Sequence, residues 1–303
     1  MEHSPNKPKY NRPEALPDNF LGIEGKEASL EYSRFVILPV PYEATTSYRT
    51  GTGDGPQAII RASHQLEDYD DELDCEPYLQ GIHTLPDLLA ARENPETMVS
   101  QTTAQCSLLI NQEKIVVTLG GEHTITLGAV RAYKDKFPGL TVLQLDAHAD
   151  LRDKYEGTRY SHASVMRRIT EFCPIVPVGI RSLSLEERDY LNCQSITPFF
   201  YGGPHSIDPN SVVDALKLTG DKVYITIDLD VLDPSIMAAV DNPEPGGMAW
   251  HESLTFLKSI CQNTEVVGFD VMELSPSEGP IACTYLAARL IYKIIGYLGI
   301  PKQ

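Results

Sequence analysis

The chain has 303 residues, enough to bury a large core in one α/β domain or in two smaller ones. Its 42 acidic residues outnumber 25 basic ones, and the net charge of −17 argues against nucleic acid or an anionic membrane as a partner. No apolar run is long enough to predict a transmembrane helix, and no secretory segment opens the sequence. The six cysteines show no close pairing, so we expect thiols in a reducing compartment and a cytoplasmic protein.

Residues 1–31 are rich in Pro, Asn, Glu and Lys, which predicts an extended arm ahead of a single domain over residues 32–303. Short apolar runs then predict strands at 34–40, 114–119, 140–145, 175–180, 196–201, 223–227 and 265–272. Helical patterns alternate with these runs, at 55–69, 97–112, 124–136, 162–172, 185–192, 208–218, 250–262 and 281–298. This alternation predicts a parallel sheet with helices on both faces, and a (β/α)8 barrel is the second possibility.

Three segments rich in acids and histidine each follow one of these apolar runs. They are Gly120–His123, Asp146–Asp150 and Asp228–Asp230. Because side chains alternate along a strand, we expect Asp146, His148 and Asp150 to share one face, and Asp228 and Asp230 to do the same. Parallel sheets bind ligands beyond the carboxyl ends of their strands, so the segments should converge there. Carboxylates at that density need cations, and six side chains suffice for two ions that support hydrolysis.

With these segments in view, the chain resembles the ureohydrolase family, which includes arginases and agmatinases. The matching segments are Gly120–His123, Asp146–Arg152, Ser161–Ser164, Asp228–Pro234, Pro243–Gly247 and Met272–Pro276. Their order and spacing match from about residue 34 to residue 299, and the stretch from Asp150 to Ser164 looks like the agmatinase branch. The resemblance implies a three-layer α/β/α sandwich around an eight-stranded parallel sheet, assembled as a homo-trimer or homo-hexamer.

The resemblance also implies two Mn²⁺ ions per subunit. One ion would take His123, Asp146, Asp150 and Asp228, and the other would take Asp146, His148, Asp228 and Asp230. Asp146 and Asp228 would then bridge the pair. Ligands dominated by carboxylates, without cysteine, suit a hard ion such as Mn²⁺.

The reaction implied by the family is hydrolysis of a guanidino compound to urea and an amine, by a hydroxide that bridges the two ions. The expected catalytic residues are His162, Glu273 and Asp150. His162 matches the family's proton shuttle, which supplies the proton that the departing amine needs. Glu273 follows a strand end, where its carboxylate can take paired N–H donors of a guanidinium.

Three residues depart from the family pattern and bear on the substrate, a small cationic guanidino compound. Arg152 stands where arginases carry an Asn that helps to hold the α-carboxylate, which argues against arginine. Asp241 and Asn242 stand where Gly and Thr are usual. We expect Asp241 to meet a distal ammonium, which favours agmatine, hydrolysed to putrescine and urea. Aminopropylagmatine, guanidinobutyrate, arginine and guanidine are the other possible substrates, and Arg152 would favour guanidinobutyrate.

Two other classes of protein stay open on the sequence. One is an amidohydrolase of the deacetylase kind with a single zinc ion, and the other is a metal-binding protein without catalysis. The full set of His123, Asp150 and Asp230 argues for two ions. The presence of His162 and Glu273 argues for catalysis.

Overall fold

The computed structural model describes residues 17–88, 94–201 and 207–299. Within those ranges eight strands form one sheet, and all of their pairings are parallel. The strands are β1 (Phe35–Val40), β2 (Ile82–Thr84), β3 (Ile115–Gly120), β4 (Leu140–Leu145), β5 (Ile175–Ile180), β6 (Phe199–Phe200), β7 (Lys222–Asp228) and β8 (Val266–Met272). Their order is β2-β1-β3-β8-β7-β4-β5-β6, so the sheet is open at both edges. The predicted parallel sheet is confirmed, and a closed barrel is excluded.

Helices cover both faces of the sheet. Those in the described ranges are α1 (Gly55–Ser63), α2 (Pro95–Ile110), α3 (Thr126–Lys136), α4 (Val165–Ile169), α5 (Leu185–Gln194), α6 (Pro209–Thr219), α7 (Trp250–Asn263) and α8 (Ile281–Gly299). Successive residues of β1 enter opposite cores, since Phe35 and Ile37 pack in one core and Val36 and Leu38 in the other. Helices α1, α6, α7 and α8 contribute to the first core and α2 to α5 to the second. The result is the expected three-layer sandwich.

Some elements differ from the sequence prediction in their bounds. Strand β2 was not predicted, because its three residues are too few to show an alternating pattern. Helix α1 ends at Ser63, whereas the predicted helix ended at residue 69. After Ser63 the chain turns into a polar stretch. The helix predicted from residue 162 begins as a single 3₁₀ turn, His162–Ser164, ahead of the short helix α4.

Residues 17–31 of the expected N-terminal arm pack on the domain itself. They form two 3₁₀ turns, Phe20–Gly22 and Gly25–Ala28, and the Phe20 side chain is fully buried. The Leu21 N–H donates to Ser63 Oγ at 2.7 Å, which ties the first turn to the end of α1. Phe20 and Leu21 therefore belong to the core, and they anchor this part of the segment to the domain. Residues 1–16 lie outside the described residues.

Helix α8 is long and apolar enough to cross a membrane by length and composition, with a mean hydropathy of 1.3 over its best window. We did not expect such a segment from the sequence. In the fold, 67% of that window is buried, and α8 packs against α1 and α7. It is therefore a core helix of the sandwich.

Candidate active site

The charged residues named above lie at the ends of four neighbouring strands. His123 follows β3, Glu273 follows β8, Asp228 ends β7 and Asp146 follows β4. These strands are adjacent in the order β3-β8-β7-β4, at the centre of the sheet. All four side chains are buried. Since carboxyl ends of parallel strands share one edge, the topology gathers these groups into one crevice.

Loop conformation, and not strand alternation, aligns the acids within each segment. Strand β4 ends at Leu145, and Asp150 takes a left-handed conformation with φ 53°, a region that Asp tolerates better than most residues. Strand β7 ends at Asp228, whose Oδ1 accepts the Asp230 N–H at 3.0 Å as a 3₁₀ turn begins. The segments converge at the strand ends as expected, but strand alternation was the wrong reason for the alignment of the acids within each segment.

His123 faces three carboxylates through one ring nitrogen. Its Nδ1 lies 3.3 Å from Asp146 Oδ2, 3.1 Å from Asp150 Oδ2 and 3.3 Å from Asp228 Oδ2. Among the described residues none of these contacts has hydrogen-bond geometry, so Nδ1 has no partner. On the other side of the ring, Nε2 lies 2.8 Å from Thr226 Oγ1. With Nε2 as the donor to this hydroxyl, Nδ1 keeps a lone pair that points at the three carboxylates.

A second group of ligand atoms adjoins the first. His148 Nδ1 lies 2.7 Å from Asp230 Oδ2 and 3.9 Å from Asp146 Oδ1. The atoms of His123, Asp146 and Asp228 lie within 4.8 Å of one another, and so do those of Asp146, His148 and Asp230. Asp146 belongs to both groups, which is the arrangement of a residue that bridges two ions.

The buried charges explain why this crevice suits cations. Burial, together with the neighbouring Asp150 and Asp230, raises the pKa of Asp146 to about 7. Burial, Asp230 and Asp146 also raise the pKa of Asp228 well above its usual value. Burial alone would lower the pKa of His123, but the surrounding carboxylates raise it well above normal. Burial is the largest cause of the two carboxyl shifts and neighbouring carboxylates add to it, and two divalent cations held by oxygen and nitrogen ligands would relieve that repulsion. The residues present therefore fit a binuclear metal centre.

Glu273 presents an unused carboxylate oxygen beside this centre. Its backbone is in the left-handed region, with φ 65°, and its side chain is buried. Glu273 Oε1 accepts the His123 N–H at 2.6 Å, whereas Oε2 receives no hydrogen bond from any part of the chain that the structure describes. Burial and then Asp241 raise the pKa of Glu273 well above its usual value. A buried acceptor without a partner is costly, so this oxygen is suited to a donor from a ligand.

Asp241 lies next to Glu273. Val240 and Leu274 form an antiparallel bridge, which places Asp241 directly opposite Glu273. Asn242 Nδ2 donates to Asp241 Oδ2 at 2.7 Å, and the Asp241 side chain is only 2% exposed. Burial and then Asp230 raise the pKa of Asp241 to about 7. We had expected Asp241 to meet a distal ammonium, but this position is beside the expected guanidinium carboxylate.

A cavity of about 270 Å³ opens over these groups and includes both substrate and proton-transfer candidates in its lining. His162 is 8% exposed in this lining, and burial lowers its pKa. Its ring meets the Tyr155 ring edge-on, with centroids 5.3 Å apart. The Arg152 guanidinium lies over the Tyr155 ring, 5.7 Å from the ring centroid. The described lining thus combines the Arg152 guanidinium with carboxylates, among them Glu273 and Asp241.

Comparison with known proteins identifies the family. The model of the arginase family matches residues 33–296. This chain belongs to the arginase family. It is 40% identical to the N(1)-aminopropylagmatine ureohydrolase of Synechocystis sp. over 99% of both chains. It is 32% identical to an agmatinase of Pyrococcus horikoshii, over 86% of this chain and 91% of that protein. The crystal structure of the agmatine ureohydrolase of Thermoplasma volcanium matches with a TM-score of 0.84 and 28% identity, over 93% of this chain and 94% of that one.

The protein is therefore a hydrolase that acts on C–N bonds in linear amidines. Its family depends on a binuclear metal centre. Its structure brings all of the candidate residues predicted from the sequence to one crevice. These residues are His123, Asp146, His148, Asp150, Arg152, His162, Asp228, Asp230, Asp241, Asn242 and Glu273. The metal candidates lie at its base, and Arg152 and His162 lie in the wall.

Sequence reasoning missed three residues of the ureohydrolase site. Thr45 contacts His162 from a loop 117 positions earlier, a separation that gives no local signal. Tyr155 lies only seven positions before His162, but an aromatic residue in a polar loop is not distinctive. Glu122 is part of the motif at Gly120–His123, yet the motif alone does not say that its side chain serves Thr45 rather than a metal ion.

Proposed function

We propose that this ureohydrolase acts on a guanidino compound that carries a further amine, with N1-aminopropylagmatine as the first candidate and agmatine as the second. Hydrolysis of these compounds releases urea together with spermidine or putrescine. The pair of buried carboxylates, Glu273 and Asp241, on the floor of the cavity supports the guanidinium, and the names of the similar proteins support the further amine. The choice of aminopropylagmatine is supported by relatives of that name from Synechocystis sp. and from Thermus thermophilus, the latter 36% identical over 91% of this chain.

Two Mn²⁺ ions are proposed as the cofactor. His123, Asp146, Asp150 and Asp228 would hold one ion, and Asp146, His148, Asp228 and Asp230 would hold the other. The orphaned lone pair on His123 Nδ1 and the absence of cysteine from both groups suit this ion. When bound, such a pair supplies the activation of water at neutral pH that attack on a guanidinium requires.

The protein groups would then bind the substrate and transfer its proton. Glu273 Oε2 would accept N–H donors of the guanidinium in a charge-assisted hydrogen bond. His162 would give a proton to the departing amine, because its ring lines the cavity and its Nδ1 already has a protein partner. Asp150 would contribute to catalysis as a ligand beside His123.

A urea-release screen with Mn²⁺ tests the proposed substrate. The panel is aminopropylagmatine, agmatine, guanidinobutyrate, arginine and guanidine, each over a range of concentrations to give kcat/KM. We expect the two amines to exceed arginine by at least about a hundredfold, or roughly 2.7 kcal/mol of transition-state preference. The attraction of the acidic chain for these cations should weaken with added salt. Comparable rates on arginine would refute the assignment.

Guanidinobutyrate is the second candidate, favoured by one observation. Arg152 places a guanidinium in the cavity wall, where it can meet a carboxylate at the far end of a substrate. In the same screen, faster turnover of guanidinobutyrate than of either amine would identify Arg152 as the residue that sets specificity. Arg152→Ala should then reduce that activity selectively.

We also propose that the protein works in the cytoplasm as a homo-trimer or homo-hexamer. The subunit number follows from the family, and the location follows from six cysteines without close pairing, as expected in a reducing compartment. Light scattering at micromolar concentration measures the subunit number. A monomer under those conditions would contradict it.

A further inference from the structure

We propose that Thr45 and Glu122 are positioning residues that hold the His162 ring and set its tautomer. In this arrangement Nδ1 keeps its proton, and Nε2 is the nitrogen that exchanges protons with the substrate. The inference deepens the proposed function and rests on the role of His162 as the proton donor. It assigns roles to two residues that bind neither metal nor substrate.

Glu122 is a fully buried carboxylate whose two oxygens are both occupied by donors. Its Oε2 accepts the Ala44 N–H at 2.7 Å and the Thr45 N–H at 2.6 Å. Its Oε1 accepts the Thr45 hydroxyl at 2.8 Å and the Thr124 hydroxyl at 2.5 Å. Four donors around one carboxylate fix the loop that carries Thr45.

The Thr45 hydroxyl, which is held by Glu122, in turn fixes the orientation of His162. Its single proton is directed to Glu122, so the oxygen can only accept from its other neighbours. One neighbour is the His162 backbone N–H at 3.3 Å, and the other is His162 Nδ1 at 3.2 Å. Nδ1 must therefore carry hydrogen in order to make its bond. Which nitrogen of a histidine is protonated is set by the hydrogen bond that the other makes.

This arrangement suits a residue that must release one proton in one direction. With Nδ1 committed to Thr45, neutral His162 leaves Nε2 as a lone pair for the cavity, and charged His162 offers its labile proton there. The Tyr155 ring, edge-on at 5.3 Å, limits rotation of the imidazole from another side. Loss of the Thr45 hydroxyl would free both the rotamer and the tautomer.

The test compares Thr45→Val, which removes the hydroxyl but keeps the shape, with Thr45→Ser, which keeps the hydroxyl. Thr46→Val is the matched control, because the Thr46 hydroxyl lies 3.3 Å from Glu43 Oε1 rather than beside His162. Thr45 is substituted in preference to Glu122, whose neighbour His123 is a metal candidate. We expect Thr45→Val to lower kcat about tenfold to a hundredfold, with KM and bound metal unchanged. Thr45→Ser and Thr46→Val should retain wild-type kcat.

The His162→Ala background separates the two proposals. If His162→Ala lowers kcat, and Thr45→Val lowers kcat no further when His162 is already Ala, then Thr45 acts through His162. If His162→Ala turns over at the wild-type rate, the proposed role of His162 fails. If His162→Ala is impaired but Thr45→Val is not, the role of His162 stands and the positioning proposal is overturned.

A spectroscopic measurement reads the tautomer without reference to turnover. Long-range ¹H–¹⁵N spectra of protein with labelled histidine distinguish hydrogen on Nδ1 from hydrogen on Nε2. Neutral His162 should carry hydrogen on Nδ1 in the wild type and in Thr45→Ser, and should show a mixture in Thr45→Val. A wild-type ring protonated on Nε2 alone would overturn the proposal.

Discussion

Replacement of Thr226 by Val should weaken one of the two metal sites. The Thr226 hydroxyl is buried and lies 2.8 Å from His123 Nε2. A metal ion on Nδ1 requires hydrogen on Nε2, and in Thr226→Val that hydrogen has no acceptor. In the metal-free variant no ion fixes the ring, which can then take another orientation or tautomer. An unsatisfied buried N–H costs about 1–3 kcal/mol, so we expect about tenfold to a hundredfold weaker binding of one ion.

Calorimetric titration of the metal-free protein with Mn²⁺ measures this effect. The affinity of one ion should fall, and the other should change little, because His148 and Asp230 do not contact Thr226 in the described residues. Thr226→Ser keeps the acceptor and is the matched control, with circular dichroism to verify that both variants fold. Wild-type Mn²⁺ affinity for both ions in Thr226→Val would refute the reasoning that the hydroxyl sets the ring.

Three other predictions test separate parts of the molecule. Asp146→Ala should lose both ions on metal analysis, whereas Asp230→Ala should keep the ion beside His123; equal losses would argue against a bridging Asp146. His162→Ala should retain both ions but lose about 10²–10⁴-fold in kcat, and loss of metal would reassign the residue. Lys293→Met removes the ammonium that lies 2.8 Å from the buried Asp70 and 2.9 Å from Glu72, while the Arg289 guanidinium stays 3.7 Å from Asp70. It should lower the free energy of unfolding in urea by about 1–3 kcal/mol, and an unchanged midpoint would show that Lys293 contributes nothing.

The metal candidates were predictable from the sequence because each lies within a few residues of a strand end. Apolar runs before Gly120, Asp146 and Asp228 predict buried parallel strands, and parallel strands end at one edge. The candidates then meet if the topology places these strands next to one another. The sheet does so by placing β3, β8, β7 and β4 side by side. The sequence does not specify this order, since no local pattern records which strands become neighbours.

Contacts between loops could not be predicted from the sequence, for a different reason. Loops lack the periodicity that marks helices and strands, so a hydroxyl such as that of Thr45 has no predictable partner. The left-handed conformations of Asp150 and Glu273 were not foreseen either. They arise at strand ends where the chain turns, and no glycine marks them. Strand β2 was missed because three residues carry too little pattern.

The position of Asp241 links the fold to substrate choice. The bridge between Val240 and Leu274 is a backbone contact, so it aligns residue 241 with Glu273 whatever side chain is present. With the usual glycine there, Glu273 would be the lone carboxylate at this point of the floor. Asp241 adds a second one, while Arg152 remains in the wall. We propose that selectivity is set at these two separate places, because neither residue belongs to the groups of metal candidates.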